Sequence, residues 1–223
     1  MLANSSIQFL KQLEKNNSKE WFDKNRKVYE DCKADFAALV NDVIKETSKK
    51  DPSIAHLSVK ECVFRINRDV RFSKNKAPYK TNMGASINSG GKKALTAGYY
   101  FHFEPGGKSF VGGGLYMAEA DKMKKIRQEI DYNWPEFQKL LKLKNFKQQY
   151  GDLDRSEGMA LVREPKGYEK ENPAIEYLKL KSWIAIAPIA DKELTEKQLV
   201  KTIAKAFEAL QPLIAFLNRA LED

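Results

Sequence analysis

The residues best suited to bind an anion are concentrated in one stretch near the middle of the chain. Between positions 60 and 80, seven residues are basic and two are acidic. Arginine presents a planar fork of N–H donors that fits carboxylate and phosphate oxygens, and lysine adds a compact positive charge. We therefore predict an anion-binding site here, for a small molecule that carries a phosphate or a carboxylate. Its candidate residues are Arg65, Arg68, Arg71, Lys76 and Lys80.

Two other interpretations of this basic segment remain open. In one, the chain is a structural or protein-interaction domain whose arginines are paired internally, with Asp69 or with acidic helix ends. In the other, the segment binds nucleic acid with an affinity that falls steeply with salt. The aromatic run typical of RNA-binding sheets is matched only loosely, so nucleic acid is not the favoured partner. Arginines that face an open cleft without acidic partners favour a ligand, whereas arginines matched to carboxylates favour a structural role.

Tyr79 and His102 are the candidates for proton transfer, and hence for catalysis. His102 is predicted to share a strand face with Tyr100 and Glu104, because side chains two residues apart point to the same side of a strand. An imidazole in that setting can act as a general acid or base, but a hydrogen-bonded structural histidine fits the same pattern. The sequence leaves open whether the protein is an enzyme.

The chain contains no motif for a nucleotide cofactor or a metal, and any cofactor stays unidentified. Gly112-Gly113-Gly114 falls in a predicted strand, whereas a dinucleotide fingerprint opens a helix. Glycine inside a strand permits a bulge or the close approach of backbone or ligand. The histidines, His56 and His102, are far apart and have no aspartate cluster beside them, so no metal site is predicted.

The predicted elements change from helical to strand periodicity and back. Apolar residues spaced by three and four predict helices up to about residue 48, with Asn17 capping the second of them. Alternation then predicts strands over 63–72, near 83–87, over 99–104 and over 110–117, the last two joined by a tight turn into an antiparallel hairpin. Further helices are predicted over 119–150 and from 195 onward, with candidate short strands at 158–164 and 182–189. We therefore predict an α+β fold, a central antiparallel meander-like sheet flanked by N-terminal and C-terminal helices.

Composition predicts one globular domain over residues 1–223. Hydrophobic residues make up 42% of the chain and charged residues 31%, which suffices for a core with a solvated surface. The formal net charge of +9 favours acidic partners. The two cysteines lie in a helix pattern and at a strand start, and no apolar run reaches the length of a membrane helix or secretory signal, so we expect a cytoplasmic location and no membrane association. The oligomeric state is left open.

The basic segment resembles the hallmark of a known family. Its pattern is Arg65-x-x-Arg68-Asp69-x-Arg71-Phe72-x-x-x-Lys76-x-Pro78-Tyr79-Lys80, and the runs from Tyr99 to Gly107 and from Gly112 to Tyr116 are similar to that family's central hairpin. The family is the one catalogued as domain of unknown function 2461. The resemblance implies one family-length domain and no activity. Because Lys179 and Lys181 belong to the same resemblance, we hypothesise that they border the same cleft.

Overall fold

The fold is built on one four-stranded antiparallel sheet, and the computed structural model describes residues 1–222. Each strand pairs with its sequence neighbour, in the order β1-β2-β3-β4. This confirms the predicted α+β fold with a meander-like sheet between N-terminal and C-terminal helices. The strands are β1 (Met83–Ile87), β2 (Gly98–Phe103), β3 (Phe110–Leu115) and β4 (Trp183–Pro188).

Within the described residues, the helices all either precede the sheet or follow β3. Two short 3-10 turns, Pro52–Ile54 and Asp191–Thr195, complete the regular structure of the described residues. None of the helices within residues 1–222 combines the length and the apolar character needed to cross a membrane. The helices are α1 (Asn4–Lys15), α2 (Lys19–Lys24), α3 (Arg26–Thr47), α4 (Val59–Cys62), α5 (Ala120–Tyr132), α6 (Trp134–Leu141), α7 (Lys144–Tyr150), α8 (Ile175–Leu178) and α9 (Leu199–Arg219).

The core lies between one face of the sheet and the helices α3 and α9. Phe36 of α3 stacks on Phe101 and Phe103 of β2, with ring centroids 5.9 and 6.2 Å apart. Phe207 of α9 packs against Tyr99 with centroids 4.8 Å apart. Because strand side chains alternate, this packing assigns the odd-numbered residues of β2 to the core and leaves the even-numbered ones on the opposite, open face of the sheet.

The strand predicted over 63–72 is wrong. After the short helix α4 the chain is extended, but it makes only isolated pairings, Val63 with Ala85 and Asn67 with Tyr79. The segment that starts at position 66 is instead hydrogen-bonded to the segment that ends at position 80. Arg68 N–H donates to the Pro78 carbonyl at 2.9 Å, and Lys80 N–H donates to the Ile66 carbonyl at 2.8 Å. Alternation therefore indicated extended backbone but could not distinguish a loop with two bonded arms from a ladder strand. We call residues 66–80 the basic loop.

The predicted strand over 158–164 is also absent, because only Ala160 forms a bridge, to Leu180. The candidate strand at 182–189 is confirmed as β4. Asn17 does not cap the second helix; Ser18 does, accepting a hydrogen bond from the Trp21 N–H at 3.2 Å. The Asn17 amide instead accepts from the Tyr79 N–H at 3.1 Å and donates to the Tyr79 carbonyl at 3.0 Å, so it fastens the basic loop to the N-terminal helices.

Candidate functional site

The open face of the sheet holds a groove with a volume of about 750 Å³. This volume falls in the range of small-molecule sites. Even-numbered residues of β2, β3 and β4 form its floor, and the segments before β1, between β1 and β2, and after β3 form its rims. Its apolar walls come from Phe64, Phe110, Ile184 and Ile186.

Glycines let the strands approach closely beneath the groove. A Cβ on Gly112 would lie 2.5 Å from the Ala185 carbonyl oxygen of β4. Gly114 has a φ of +119°, and a Cβ there would collide with the Trp183 carbonyl oxygen. Both positions therefore require glycine for strand packing, and they leave the floor of the groove free of side chains between β2 and β4.

Tyr100, His102 and Glu104 form one hydrogen-bonded chain along β2, which we call the relay. The Tyr100 hydroxyl lies 3.1 Å from Nδ1 of His102, and Nε2 of His102 lies 3.0 Å from Oε2 of Glu104. Because the ionised Glu104 carboxylate can only accept, Nε2 carries the proton in the neutral imidazole and Nδ1 accepts from the Tyr100 hydroxyl. Tyr100 and His102 both line the groove.

Glu104 is held from several directions behind His102. The Thr81 hydroxyl donates to its Oε1 at 3.1 Å, and the Lys108 ammonium lies 3.5 Å from the same oxygen. The buried Ser109 hydroxyl clamps its backbone across the hairpin turn, accepting from the Glu104 N–H at 3.0 Å and donating to the Glu104 carbonyl at 2.9 Å. The carboxylate therefore has little freedom to turn away from the imidazole.

The far end of the relay is placed by a stacked aromatic group and one glycine. The His102 ring stacks on Phe110 with centroids 4.7 Å apart and planes 9° apart. The Tyr100 hydroxyl sits over Gly84 of β1, where a Cβ would lie only 2.5 Å from that oxygen. Gly84 is therefore the position in β1 that leaves room for the tyrosine to reach His102.

The electrostatics of the relay oppose charge on Tyr100 and favour it on Glu104. Burial, reinforced by the Glu104 charge, raises the pKa of Tyr100 to about 12, so the phenol stays protonated at neutral pH. Burial disfavours the Glu104 anion, but the hydrogen bonds from His102 and Thr81 and the charge of Lys108 outweigh it and hold the pKa of Glu104 below its usual value. The result is a neutral phenol and a negative carboxylate on the two sides of one imidazole.

Three lysines border the groove, and they differ in how they are bonded. Lys92 donates to the carbonyls of Lys60 and Val63 at 2.6 and 2.7 Å, and Lys122 donates to the Leu95 carbonyl at 3.1 Å. The Lys80 ammonium lies 5.6 Å from the centroid of the Phe64 ring, and within residues 1–222 it has no carboxylate partner. Burial, reinforced by the charge of Arg65, lowers the pKa of Lys80.

The structure disperses the predicted anion-binding residues. Lys80 lines the groove and also a second pocket of about 390 Å³, whose lining includes Arg68. Arg68 donates to the Ser73 hydroxyl at 3.3 Å, and Arg65 is exposed beside Lys80 without lining the groove. Arg71 is matched to a carboxylate, since its Nε and guanidinium nitrogen lie 3.0 and 2.7 Å from the two oxygens of Asp69. Lys76 donates to the Val70 carbonyl at 3.0 Å.

Of the two predicted proton-transfer residues, only His102 lies in the groove. Tyr79 is buried, and its ring stacks on Phe22 with centroids 3.8 Å apart. Its backbone is fastened by Asn17, and burial raises the pKa of its phenol. Tyr79 borders the smaller pocket and does not contact the relay. Lys179 and Lys181, which we hypothesised to border the same cleft, do not line the groove either.

Sequence reasoning placed Tyr100 and Glu104 beside His102 but did not select them as site residues. The signal was present in the i, i+2, i+4 spacing of tyrosine, histidine and glutamate at the end of one strand. Phe64, Lys92 and Lys122 were missed altogether, because they reach the groove from segments outside the sheet and only tertiary packing brings them there. Within residues 1–222, no group of three or more potential ligands is arranged to hold a metal ion.

Comparison with known families identifies the family to which the chain belongs. The family model described as "Conserved hypothetical protein (DUF2461)" matches residues 5–216. No curated protein and no solved structure matches the chain. Because the match spans nearly the whole sequence, the protein belongs to the DUF2461 family, as the basic segment and the central hairpin suggested.

Proposed function

We propose, for this member of the DUF2461 family, that the groove on the open face of the sheet binds a small organic anion. The ligand has a phosphate or carboxylate that pairs with Lys80 and an apolar, preferably aromatic, body. The observation that carries this proposal is Lys80 itself: an ammonium partly withdrawn from water, beside an aromatic wall, with no carboxylate to neutralise it in the described chain. A charge in that setting is costly unless a partner arrives.

The wider charge of the groove supports the same class of ligand. Lys92 and Lys122 are bonded to neutral carbonyls, which satisfy their N–H groups without cancelling their charge. Glu119, which is exposed, is the single carboxylate among the lining residues found in the described chain. A groove with three ammonium groups and one rim carboxylate attracts anions and repels cations.

The walls support an apolar body on that anion. Phe64 and Phe110 lie on either side of Tyr100, with ring centroids 6.5 and 5.7 Å from it, and Ile184 and Ile186 extend the apolar surface across β4. Aromatic faces of this kind bind planar groups by stacking and by burial of apolar area. A bare inorganic anion would make no apolar contacts with these walls.

The test uses phenyl phosphate and benzoate as probes, with phenol and benzamide as uncharged controls. In a thermal-unfolding assay, a ligand at 100 times its dissociation constant adds roughly 2.7 kcal/mol of stability, which is readily seen. We expect the anions, and not their neutral counterparts, to raise the unfolding temperature. Lys80→Ala should weaken binding by roughly tenfold to a hundredfold, the worth of one charge-assisted hydrogen bond.

Lys76→Ala is the matched control, since it removes a lysine of the same basic loop that does not line the groove. It should leave the affinity for phenyl phosphate within a factor of about two, as expected of a screened surface charge. Equal affinities in wild type and Lys80→Ala, or an effect of Lys76→Ala as large as that of Lys80→Ala, would contradict the proposal.

A further inference from the structure

We propose that the relay is an acid–base device, in which Tyr100 exchanges a proton with the ligand in the groove and His102 exchanges one with Tyr100. The inference rests on the proposed function only for the anionic character of the ligand. Tyr100 and His102 are then catalytic residues, because both line the groove, and Glu104 is a positioning residue behind them.

The geometry satisfies the requirements of an activated hydroxyl. Such a site needs a base within hydrogen-bond reach of the hydroxyl and a third group that orients the base. The two contacts of 3.1 and 3.0 Å provide these two links in the correct order. Thr81, Lys108 and Ser109 fix Glu104 from behind, and the stack on Phe110 fixes the plane of the imidazole.

Every proton in this step is accounted for by the ligand, Tyr100 and His102, with Glu104 balancing the charge. A group of the ligand gives its proton to the Tyr100 oxygen as the original tyrosine proton moves to Nδ1 of His102. The imidazolium that forms keeps its Nε2 proton directed at the Glu104 carboxylate, which stabilises the new positive charge without accepting it. The reverse sequence returns a proton to the ligand, so tyrosine never carries a full negative charge in a site that disfavours it.

A purely structural role of the network is the competing explanation, and access to the groove favours proton transfer over it. A purely structural histidine needs no access to a cavity, yet the His102 side chain is 14% exposed, and Tyr100 and His102 form part of the groove floor. The same floor is kept open by Gly112 and Gly114 and lies between the aromatic walls. The relay therefore ends where a bound anion would lie.

Sulfonyl fluorides test the relay without knowledge of the natural ligand. In this reaction the tyrosine oxygen forms a bond to sulfur, the S–F bond breaks, fluoride leaves and the phenolic proton passes to His102. The neutral probe is phenylmethanesulfonyl fluoride, and peptide mass spectrometry measures the modification rate of Tyr100 against that of Tyr132, which is 72% exposed. We expect Tyr100 to react faster than Tyr132 despite its lower exposure.

The dependence on the base is measured in the same molecules. His102→Gln should slow the Tyr100 reaction by roughly 100-fold, the usual contribution of a general base, and leave Tyr132 unchanged. Tyr100→Phe confirms the assignment of the adduct. If His102→Gln does not fold, the proposal is tested by the ratio of the Tyr100 and Tyr132 modification rates in wild type. Modification of Tyr100 no faster than that of Tyr132 would overturn the proposal, and so would a Tyr100 rate unaffected by His102→Gln.

Glu104 is tested by a spectroscopic signature. With only two histidines in the chain, the imidazole nitrogens of His102 are assignable by ¹⁵N NMR once His56 is replaced by glutamine. We expect the Nε2–H tautomer in wild type and a mixture of tautomers in Glu104→Gln, together with slower modification of Tyr100. An unchanged tautomer in Glu104→Gln would mean that this carboxylate does not orient the base.

The two proposals fail separately. The anionic probe 4-(fluorosulfonyl)benzoate should modify Tyr100 faster than the neutral probe, and Lys80→Ala should abolish that advantage. If the advantage is missing while the neutral probe still depends on His102, the anion site is wrong and the relay stands. If Lys80 governs benzoate binding while Tyr100 is unreactive, the anion site stands and the relay is wrong.

Discussion

At the scale of single residues, the presence or absence of a carboxylate partner distinguishes Lys80, which we propose binds a ligand, from Arg71, which we do not. Lys80 and Arg71 lie nine positions apart in one basic segment, and both were predicted to bind anions. The two carboxylate oxygens of Asp69 accept from Nε and Nη2 of Arg71, whereas the Lys80 ammonium lies over an aromatic ring. Composition cannot show this difference, because it depends on where the loop turns.

Glu104 gives the residue-scale prediction. Its pKa lies below its usual value in the folded protein, so the carboxylate contributes stability that is present above the unfolded-state pKa near 4.5 and is lost as the pH falls through the lower, folded-state value. We expect the free energy of unfolding of the wild type, followed by urea titration from about pH 5 to about pH 3, to fall in this window.

His102→Gln provides the comparison for that titration. Without the histidine the carboxylate loses one of the hydrogen bonds that hold its pKa down, so the loss of stability due to Glu104 should be smaller than in wild type and complete at a higher pH. Coincident profiles for the two proteins would show that His102 does not stabilise the Glu104 anion, and the link between them would lose its electrostatic basis.

At the scale of elements, the relay depends on β1 as much as on β2. Gly84→Ala places a methyl group 2.5 Å from the Tyr100 hydroxyl oxygen, and that oxygen is the free end of a side chain, so the tyrosine moves and the sheet does not. We expect the sulfonyl fluoride reaction at Tyr100 to fall towards its rate in His102→Gln, with a stability loss of about 1 to 3 kcal/mol from overpacking.

Ser86→Ala is the control for Gly84→Ala, since it changes the next open-face position of β1 by removing atoms. It should leave the reactivity of Tyr100 unchanged. If Gly84→Ala reacted like wild type, the contact between the Tyr100 hydroxyl and His102 would not be the source of the reactivity.

Asn17 sets the position of the basic loop relative to the helices. Asn17→Ala removes one donor and one acceptor from the Tyr79 backbone, and leaving these part-buried groups unpaired costs about 1 to 3 kcal/mol. Guanidinium denaturation measures the loss, and hydrogen exchange should show faster exchange of the Tyr79 amide. Asn16→Ala, which removes an exposed bond to the Gln12 carbonyl, should cost much less, and equal losses would contradict the assignment.

Local sequence signals predicted the elements with strong periodicity, and they failed for the basic loop, whose two ends are hydrogen-bonded to each other. The hairpin of β2 and β3 and the C-terminal helix α9 follow from alternation, turn residues and a spacing of three and four. Residues 63–72 alternate as well, yet their partners are the arm ending in Lys80 and a few groups of β1. Partner choice is a tertiary property, and it also determined that Asn17 bonds to Tyr79 and does not cap α2.

At the scale of the whole molecule, the net charge of +9 made nucleic acid a candidate partner. The structure distributes that charge: Arg71 is neutralised by Asp69, and Lys108 by Glu14 and Glu104. We expect phenyl phosphate, held by one principal cation, to lose less than about tenfold in affinity between 50 and 200 mM salt.

Fluorescence anisotropy of a labelled oligonucleotide gives the contrasting measurement. Engagement of the basic loop by several phosphates would produce a steep salt slope and a loss of roughly a thousandfold or more over the same range. We expect oligonucleotides to bind more weakly than phenyl phosphate at 200 mM salt. The reverse order would favour the nucleic-acid alternative.

The groove is also a whole-molecule feature, and for that reason the sequence predicted only part of it. His102 and Lys80 were candidates from their types and spacing, but Phe64, Lys92 and Lys122 reach the groove from separate segments. Tyr100 and Glu104 were placed on the correct strand face without being recognised as one hydrogen-bonded chain, since hydrogen-bond order requires atomic positions. The sequence therefore selected Lys80 and His102 separately, and the fold places both in one groove.

The most direct measurement is a crystal structure of the protein soaked with phenyl phosphate. We expect the phosphate oxygens within hydrogen-bond distance of the Lys80 ammonium, and the phenyl ring between Phe64 and Phe110, over the Tyr100 hydroxyl. Phenyl phosphate bound on the basic loop at Arg68 or Arg71, with the groove unoccupied at saturating concentration, would contradict the central claim that the open face of the sheet is the binding site.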